Sequence, residues 1–160
     1  MFRSLCKIRD LLKESFGSAI RAYLIDDPAL VPQSELPCLC VCPISTNIGV
    51  ADTQRDLYTH TIDIILIINA KQELKKYKEE IVGTQFMTEI MEKRDTTTGV
   101  LQANTILYVL RANLRLGSNW EIGNISDIDY VTRTRGAGAE QFMTKEATCR
   151  LTVTEFSDRT

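Results

Sequence analysis

The chain has one histidine, one tryptophan and no apolar run approaching the ~20 residues that would span a bilayer. The last absence argues against a membrane-spanning helix. Met1-Phe-Arg-Ser-Leu-Cys6 is broken by charge and does not read as the apolar segment of a secretory signal, so a soluble protein made in a cytoplasm is expected. Basic charge is not in excess. Nineteen Lys and Arg against twenty-one Asp and Glu leave a net charge of −2 and a pI near 5.5. That balance lacks the positive field with which a nucleic-acid binder gathers phosphates. Five cysteines, an odd number with no C-x-x-C pair, argue against a disulfide framework and a dithiol redox site. Internal repeats and low-complexity tracts are missing too.

What is present describes an ordinary globular chain. Hydrophobic residues make up 44% and charged residues 25%, and 160 residues fit one domain over residues 1–160. A domain of that length buries roughly 70% of its unfolded surface. The most informative stretch is Thr61-Ile-Asp-Ile-Ile-Leu-Ile-Ile68. Ile62, Ile64, Leu66 and Ile68 share one face of a strand, and Ile65 and Ile67 share the other. A strand apolar on both faces requires cover on both, and in so short a chain a second subunit is one source of it.

The remaining segments give an element order. Phe2, Leu5, Ile8, Leu11, Leu12 and Phe16 predict an amphipathic helix over 2–15, ended by Gly17. Ala19–Ile25 reads as a strand stopped by Asp26-Asp-Pro28. Val31–Pro37 reads as a connector held extended by its prolines, Pro37–Ile44 as a short strand, and Ser45–Asp56 as a polar loop. The long strand takes Leu57–Ile68. Asn69 and Gln72 then form a capping-box pattern for a helix with Leu74, Tyr77 and Ile81 on its first stripe. The stripe moves to Phe86, Met87, Ile90 and Met91 after Gly83, where a kink is expected. Arg94–Gly99 is a linker, and apolar residues at 100, 103, 107, 110 and 114 predict a helix over Val100–Leu114. Trp120–Tyr130 reads as a strand with a bulge at Gly123-Asn124, Arg133–Ala139 as a flexible loop, and Ala147–Val153 as a one-sided antiparallel strand with a wet polar face. The expected fold is α+β in the order α-β-β-β-α-α-β-β, a mainly antiparallel sheet carrying an N-terminal helix and two central helices.

Catalytic and metal chemistry finds little support. His60 sits between Thr59 and Thr61, where an edge or interface residue is the simpler reading than a member of a Ser/His/Asp triad. Cys38, Cys40 and Cys42 fall on one strand face, but successive thiols there lie roughly 6.5–7 Å apart, too far to share one tetrahedral ion. Small core hydrophobes in a reducing compartment account for them. Asp63 with Glu73-Leu-Lys75 superficially matches the carboxylate-and-lysine set of Mg²⁺-dependent nucleases, although Glu73 and Lys75 fall in the first turn of a helix rather than on a neighbouring strand. Gly136-Ala-Gly138 lacks the Lys-Ser/Thr of a phosphate loop and precedes a strand. No cofactor is expected. Arg133 and Arg135 form a small basic knot that fits either nucleic acid or an acidic partner surface.

Element order resembles the tail terminator (tail completion) proteins of long-tailed bacteriophages, the lambda-type family. The stretches that carry the resemblance are Phe2–Ser15, Ser34-Glu-Leu-Pro37 leading into a strand, Thr61–Ile68 before a helix, Thr105–Leu114, and the pair Trp120–Tyr130 and Glu146–Val153. It spans nearly the whole chain as a pattern rather than a signature. It implies a virion protein without an active site, assembled in the host cytoplasm. It further implies a homohexameric ring that caps the tail tube protein, stops polymerisation, meets neck or head-completion proteins, and lets DNA pass through its lumen. Ring closure needs two different contact patches, and the loops at 45–56 and 132–141 are the candidates. Their polar residues Asp52, Gln54, Arg55, Arg133, Arg135 and Glu140 are the candidate interface; inert connectors are the alternative reading. Another neck or head–tail connector protein, or the nuclease above, are the competing functions.

Overall fold

The structure, a computed structural model, describes residues 1–27, 31–70 and 85–158. In chain order its elements are helix α1 (Phe2–Phe16), strands β1 (Ala22–Ile25), β2 (Cys38–Val50) and β3 (Arg55–Asn69), helices α2 (Gln85–Met91) and α3 (Ile106–Ala112), and strands β4 (Arg115–Gly117), β5 (Trp120–Arg135) and β6 (Phe142–Asp158). The strands form one mixed sheet in the order β1-β2-β3-β6-β5-β4. Among the described residues only the β1–β2 pair is parallel. No described helix is long and apolar enough to cross a membrane.

The three described helices cover one sheet face. Leu5, Ile8 and Leu12 of α1 are buried at helical spacing, and Gly17 ends the helix with a φ of 49° and an N–H donated to the Lys13 carbonyl. Met87 and Met91 of α2 and Ile106, Val109 and Leu110 of α3 join them over Leu39, Val41, Ile62, Ile64, Leu66, Ala147, Cys149 and Leu151. The Thr105 hydroxyl caps α3 by accepting from the Tyr108 N–H.

The opposite face carries a second, smaller core. Cys38, Cys40, Cys42 and Ile67 pack with Val31 and Leu36, and Leu24, Ile65 and Phe142 border them. Ile67 is fully buried by this cover, which comes from the chain's own connector rather than a second subunit. The connector is not simply extended, because Gln33–Glu35 forms a 3₁₀ turn.

Several boundaries differ from those the sequence predicts. Ser45–Val50 is strand, not loop: it pairs with β3 from Thr61 to Asp56. Its Ser, Thr and Asn residues read as loop in isolation, and the ladder to β3 overrides that preference. Ala19 belongs to a 3₁₀ turn (Gly17–Ala19) and β1 starts at Ala22. The helix expected over Val100–Leu114 is confined to α3, because Arg94 and Leu101 form a bridge upstream. The Asp95 carboxylate also holds a turn there by accepting from the Thr97 and Thr98 N–H groups. Downstream, Arg115–Gly117 becomes the additional strand β4. Arg133–Arg135 continues β5, and β6 extends well beyond Ala147–Val153. Register shifts on either side of Ile125 place the expected irregularity around Gly123-Asn124. Gln72, Leu74, Tyr77, Ile81 and the kink at Gly83 lie outside the described residues.

Candidate assembly surfaces

Strands β2, β3 and β6 are 13, 15 and 17 residues long. At about 3.3 Å per residue, β3 alone reaches about 50 Å, more than twice the common strand length. The described helices do not follow the sheet to its end. From Ile44 onward the outer part of β2 is exposed throughout, with Ile44 50%, Ile48 69% and Val50 69% accessible. Together with the half-buried ends of β3 (Arg55–Thr59) and β6 (Thr154–Asp158) it forms a β-arm that is bare along β2. Phe2, at the start of α1, is also 67% exposed.

A tight polar turn closes the arm. Asp52 Oδ1 accepts from the backbone N–H groups of Gln54 and Arg55, both at 2.8 Å. Its other oxygen takes the Arg55 guanidinium at 2.7 Å. The Gln54 N–H first, and then Arg55, hold the Asp52 carboxyl below its ordinary pKa. The Arg55 guanidinium also lies 5.8 Å from the centroid of the Phe156 ring. Two of the three candidates at this tip therefore shape the turn, while Gln54 presents an exposed side chain.

The other candidate patch is divided. Glu140 is exposed in the β5–β6 connection, and Arg133 keeps 60% of its side chain accessible, 3.6 Å from Glu146. Arg135 is buried. It donates from Nε to Glu146 Oε1 at 2.6 Å and from Nη2 to Oε2 at 3.0 Å. On its other side it reaches Asp27 through Nη1 at 2.6 Å and Nη2 at 3.0 Å. Glu146 is only 1% exposed and also accepts from the Thr144 hydroxyl. Arg135 thus ties the end of β1 to the β5–β6 pair across the second face, and it does not project as part of a basic tip. The hydrogen bonds to Glu146 do most to raise its pKa further. Neither Asp27 nor Glu146 stood out in the sequence: Asp27 reads as a turn residue, and Glu146 sits on the polar alternation of β6. That alternation is wet at Arg150 but dry at Glu146, where the connector covers it.

His60 occupies a central strand, between β2 and β6, and is 1% exposed. This corrects the expectation of an edge or interface histidine; β6 covers one side of β3 and β2 the other. Its Nδ1 lies 3.0 Å from Thr46 Oγ1 and its Nε2 lies 3.1 Å from Glu155 Oε2. The two contacts tie the ring to β2 and β6, and the Thr46 hydroxyl also donates to Met1 Sδ at 3.6 Å. Ser4 donates to the same Glu155 oxygen at 3.3 Å, and the amino group of Met1 lies 3.7 Å from it. Burial pushes the Glu155 pKa up, but hydrogen bonding from His60 and Trp120 and the charge of the terminal amine outweigh it, leaving the pKa below its ordinary value. The Trp120 N–H acts there without reaching full hydrogen-bond geometry. The cluster joins the start of α1 to the root of the arm. A hydroxyl, an imidazole and a carboxylate do line up, yet Ser4 bonds the carboxylate rather than the ring.

Asp63 and the buried thiols are accounted for within the fold. Asp63 accepts from Arg150 Nε at 2.7 Å and Nη2 at 2.9 Å, so both of its oxygens are engaged. Glu73 and Lys75 lie outside the described residues. Burial first, and then nearby carboxylates, push the Cys42 thiol up to about 12, and burial pushes Cys149 up to about 11. Such thiols stay neutral near pH 7 and pack as small apolar groups. Among the described residues no three His, Cys, Asp or Glu side chains converge as metal ligands. Compared with protein families and with curated proteins, the chain matches no family model and no curated sequence.

Proposed function

We propose that this chain is a structural subunit of a long-tailed bacteriophage virion, forming a ring that caps the tail tube, ends its polymerisation and offers the surface for head joining. The observation that carries this reading is the bare β-arm. Its strands extend past the described helices and expose Ile44, Ile48 and Val50 beside a turn of fixed shape. A monomer gains little from such an extension, whereas a subunit that lays the arm against neighbours gains cover for it. Arg133, Glu140 and Gln54 are the exposed polar residues available for heterologous contacts around the ring. Asp52, Arg55 and Arg135 act indirectly, by fixing the shapes of the two corners. In this reading the ring is a hexamer, its partners are the tail tube protein and neck proteins, and DNA crosses the lumen without sequence-specific contacts.

Chemistry at Asp63 is the weaker reading, because Arg150 occupies the oxygens that a metal ion would use. Imaging the purified protein with isolated tail tubes tests the proposal. A ring seated at one tube end supports it, as do over-long, headless tails in phage lacking the gene. Tails of normal length in that knockout would refute termination and favour a neck connector.

A further inference from the structure

The outer edge of β2 is paired with β1 only from Cys38 to Val41. Among the described residues no strand covers it from Ile44 to Val50. Natural edge strands are protected by charge, proline, bulges or brevity. This one has a single bulge at Pro43/Ser45, and no Asp, Glu, Lys or Arg occurs between Cys38 and Ala51. The segment Ile44-Ser-Thr-Asn-Ile-Gly-Val50 is regular, uncharged and partly apolar. It is a strand-accepting edge. The far side of the sheet differs: β5 carries two register shifts, and its outer half bears Asp127, Asp129 and Arg133.

We infer that a second copy of this chain pairs with this edge, β2 against β2, across a two-fold axis, to make one continuous twelve-stranded sheet. Two equal edges related by a two-fold axis are antiparallel by symmetry and bring free segment against free segment. The head-to-tail alternative, β2 onto the β5 of a neighbour, fits less well. Asn47 lies level with Thr59 of β3, and Thr132, midway along the regular part of β5, lies level with Ile68. Joining them needs a shift of nine residues, about 30 Å, across four strands about 19 Å wide. Strands would tilt by about 57°, well outside the 35–45° of closed barrels. The two-fold pair needs no shift, and the β1 strands fall at its two outer ends. Like charge is absent from both sides of the seam, and Ile44, Ile48 and Val50 gain cross-strand neighbours.

This pairing is distinct from ring contacts, which are heterologous, and it holds whether or not the protein caps a tube. Asn47 lies at the middle of the segment with an exposed side chain. Sedimentation of the full chain is expected to give twice the 18.1 kDa subunit mass. Asn47→Lys and Asn47→Asp should each fall to 18.1 kDa with unchanged circular dichroism, and an equimolar mixture of the two should regain the dimer. Hydrogen exchange on wild-type protein supplies a check that needs no variant: amides in Ile44–Val50 should lose protection on dilution. A wild type that stays monomeric, variants that still dimerise, a mixture that stays monomeric, or protection independent of concentration overturns the pairing. Monomers that still cap tubes would remove this inference and leave the tail reading standing; dimers that never bind tubes would do the reverse.

Discussion

The two halves of the long sheet share three strands and almost nothing else. Near Cys38, Ile67 and Ala147 the sheet has helices on one face and the Val31–Leu36 connector on the other, and its charges are locked in pairs. Near Val50, Leu57 and Phe156 none of the described helices covers it, Leu57 and Phe156 are half-buried, and Ile48 and Val50 meet solvent. One half satisfies itself. The other runs to a length that the described helices do not cover, and in the proposed reading that surplus is what meets partners.

The sharpest way to break the covered half is Arg135→Ala, which leaves Glu146 buried without its cation. A loss of about 3–5 kcal/mol is expected in urea unfolding. Next comes Leu66→Ala, under the helices, with a loss of about 2–5 kcal/mol by the same measurement. The Gly136→Ala variant should cost more than about 1 kcal/mol, since a β-carbon there must adopt a left-handed backbone. Its φ is 90°, and the added carbon would sit 2.5 Å from the Glu140 carbonyl oxygen.

The boundary between the halves is sensitive to pH. Because the folded Glu155 pKa lies below its ordinary 4.5, its contribution is complete above that pH and fades as pH falls through the folded value. Melting temperatures measured downward from pH 5 should therefore fall less steeply in Glu155→Gln than in wild type; equal slopes would show that the cluster does not stabilise the root of the arm. The smallest effect belongs to the arm itself. Ile48→Ala should change monomer stability by under about 0.5 kcal/mol, and a loss comparable to that of Leu66→Ala would erase the contrast.

The covered half was more legible in the sequence than the bare one. The residue pattern in Thr61–Ile68 and Ala147–Val153 identifies two strands and their apolar faces, which the structure places side by side, and helical spacing identifies α1. Periodicity reports burial, and these segments are buried. Ser45–Val50 has little burial to report, so its polar composition read as loop until pairing with β3 made it strand. The candidate interface suffered from the same limit. Arg133 and Arg135 are alike in sequence and share one strand face, both reaching Glu146, but only Arg135 is buried, because Asp27, far away in the chain, arrives to bind it. Pairing across such a separation leaves no local trace. The cover on Ile67 was also misjudged, because a connector with two prolines gave no sign that Val31 and Leu36 would fold back as a lid.

Trp120 offers a practical handle on the N-terminal helix. It is the only tryptophan, and the Lys7 ammonium of α1 sits 4.5 Å from the centre of its ring while also donating to the Leu116 carbonyl. Intrinsic fluorescence of the unlabelled protein therefore reads the docking of α1 on β4 and β5. If assembly partners displace that helix, the emission changes at the moment of displacement, and stopped-flow mixing can time it.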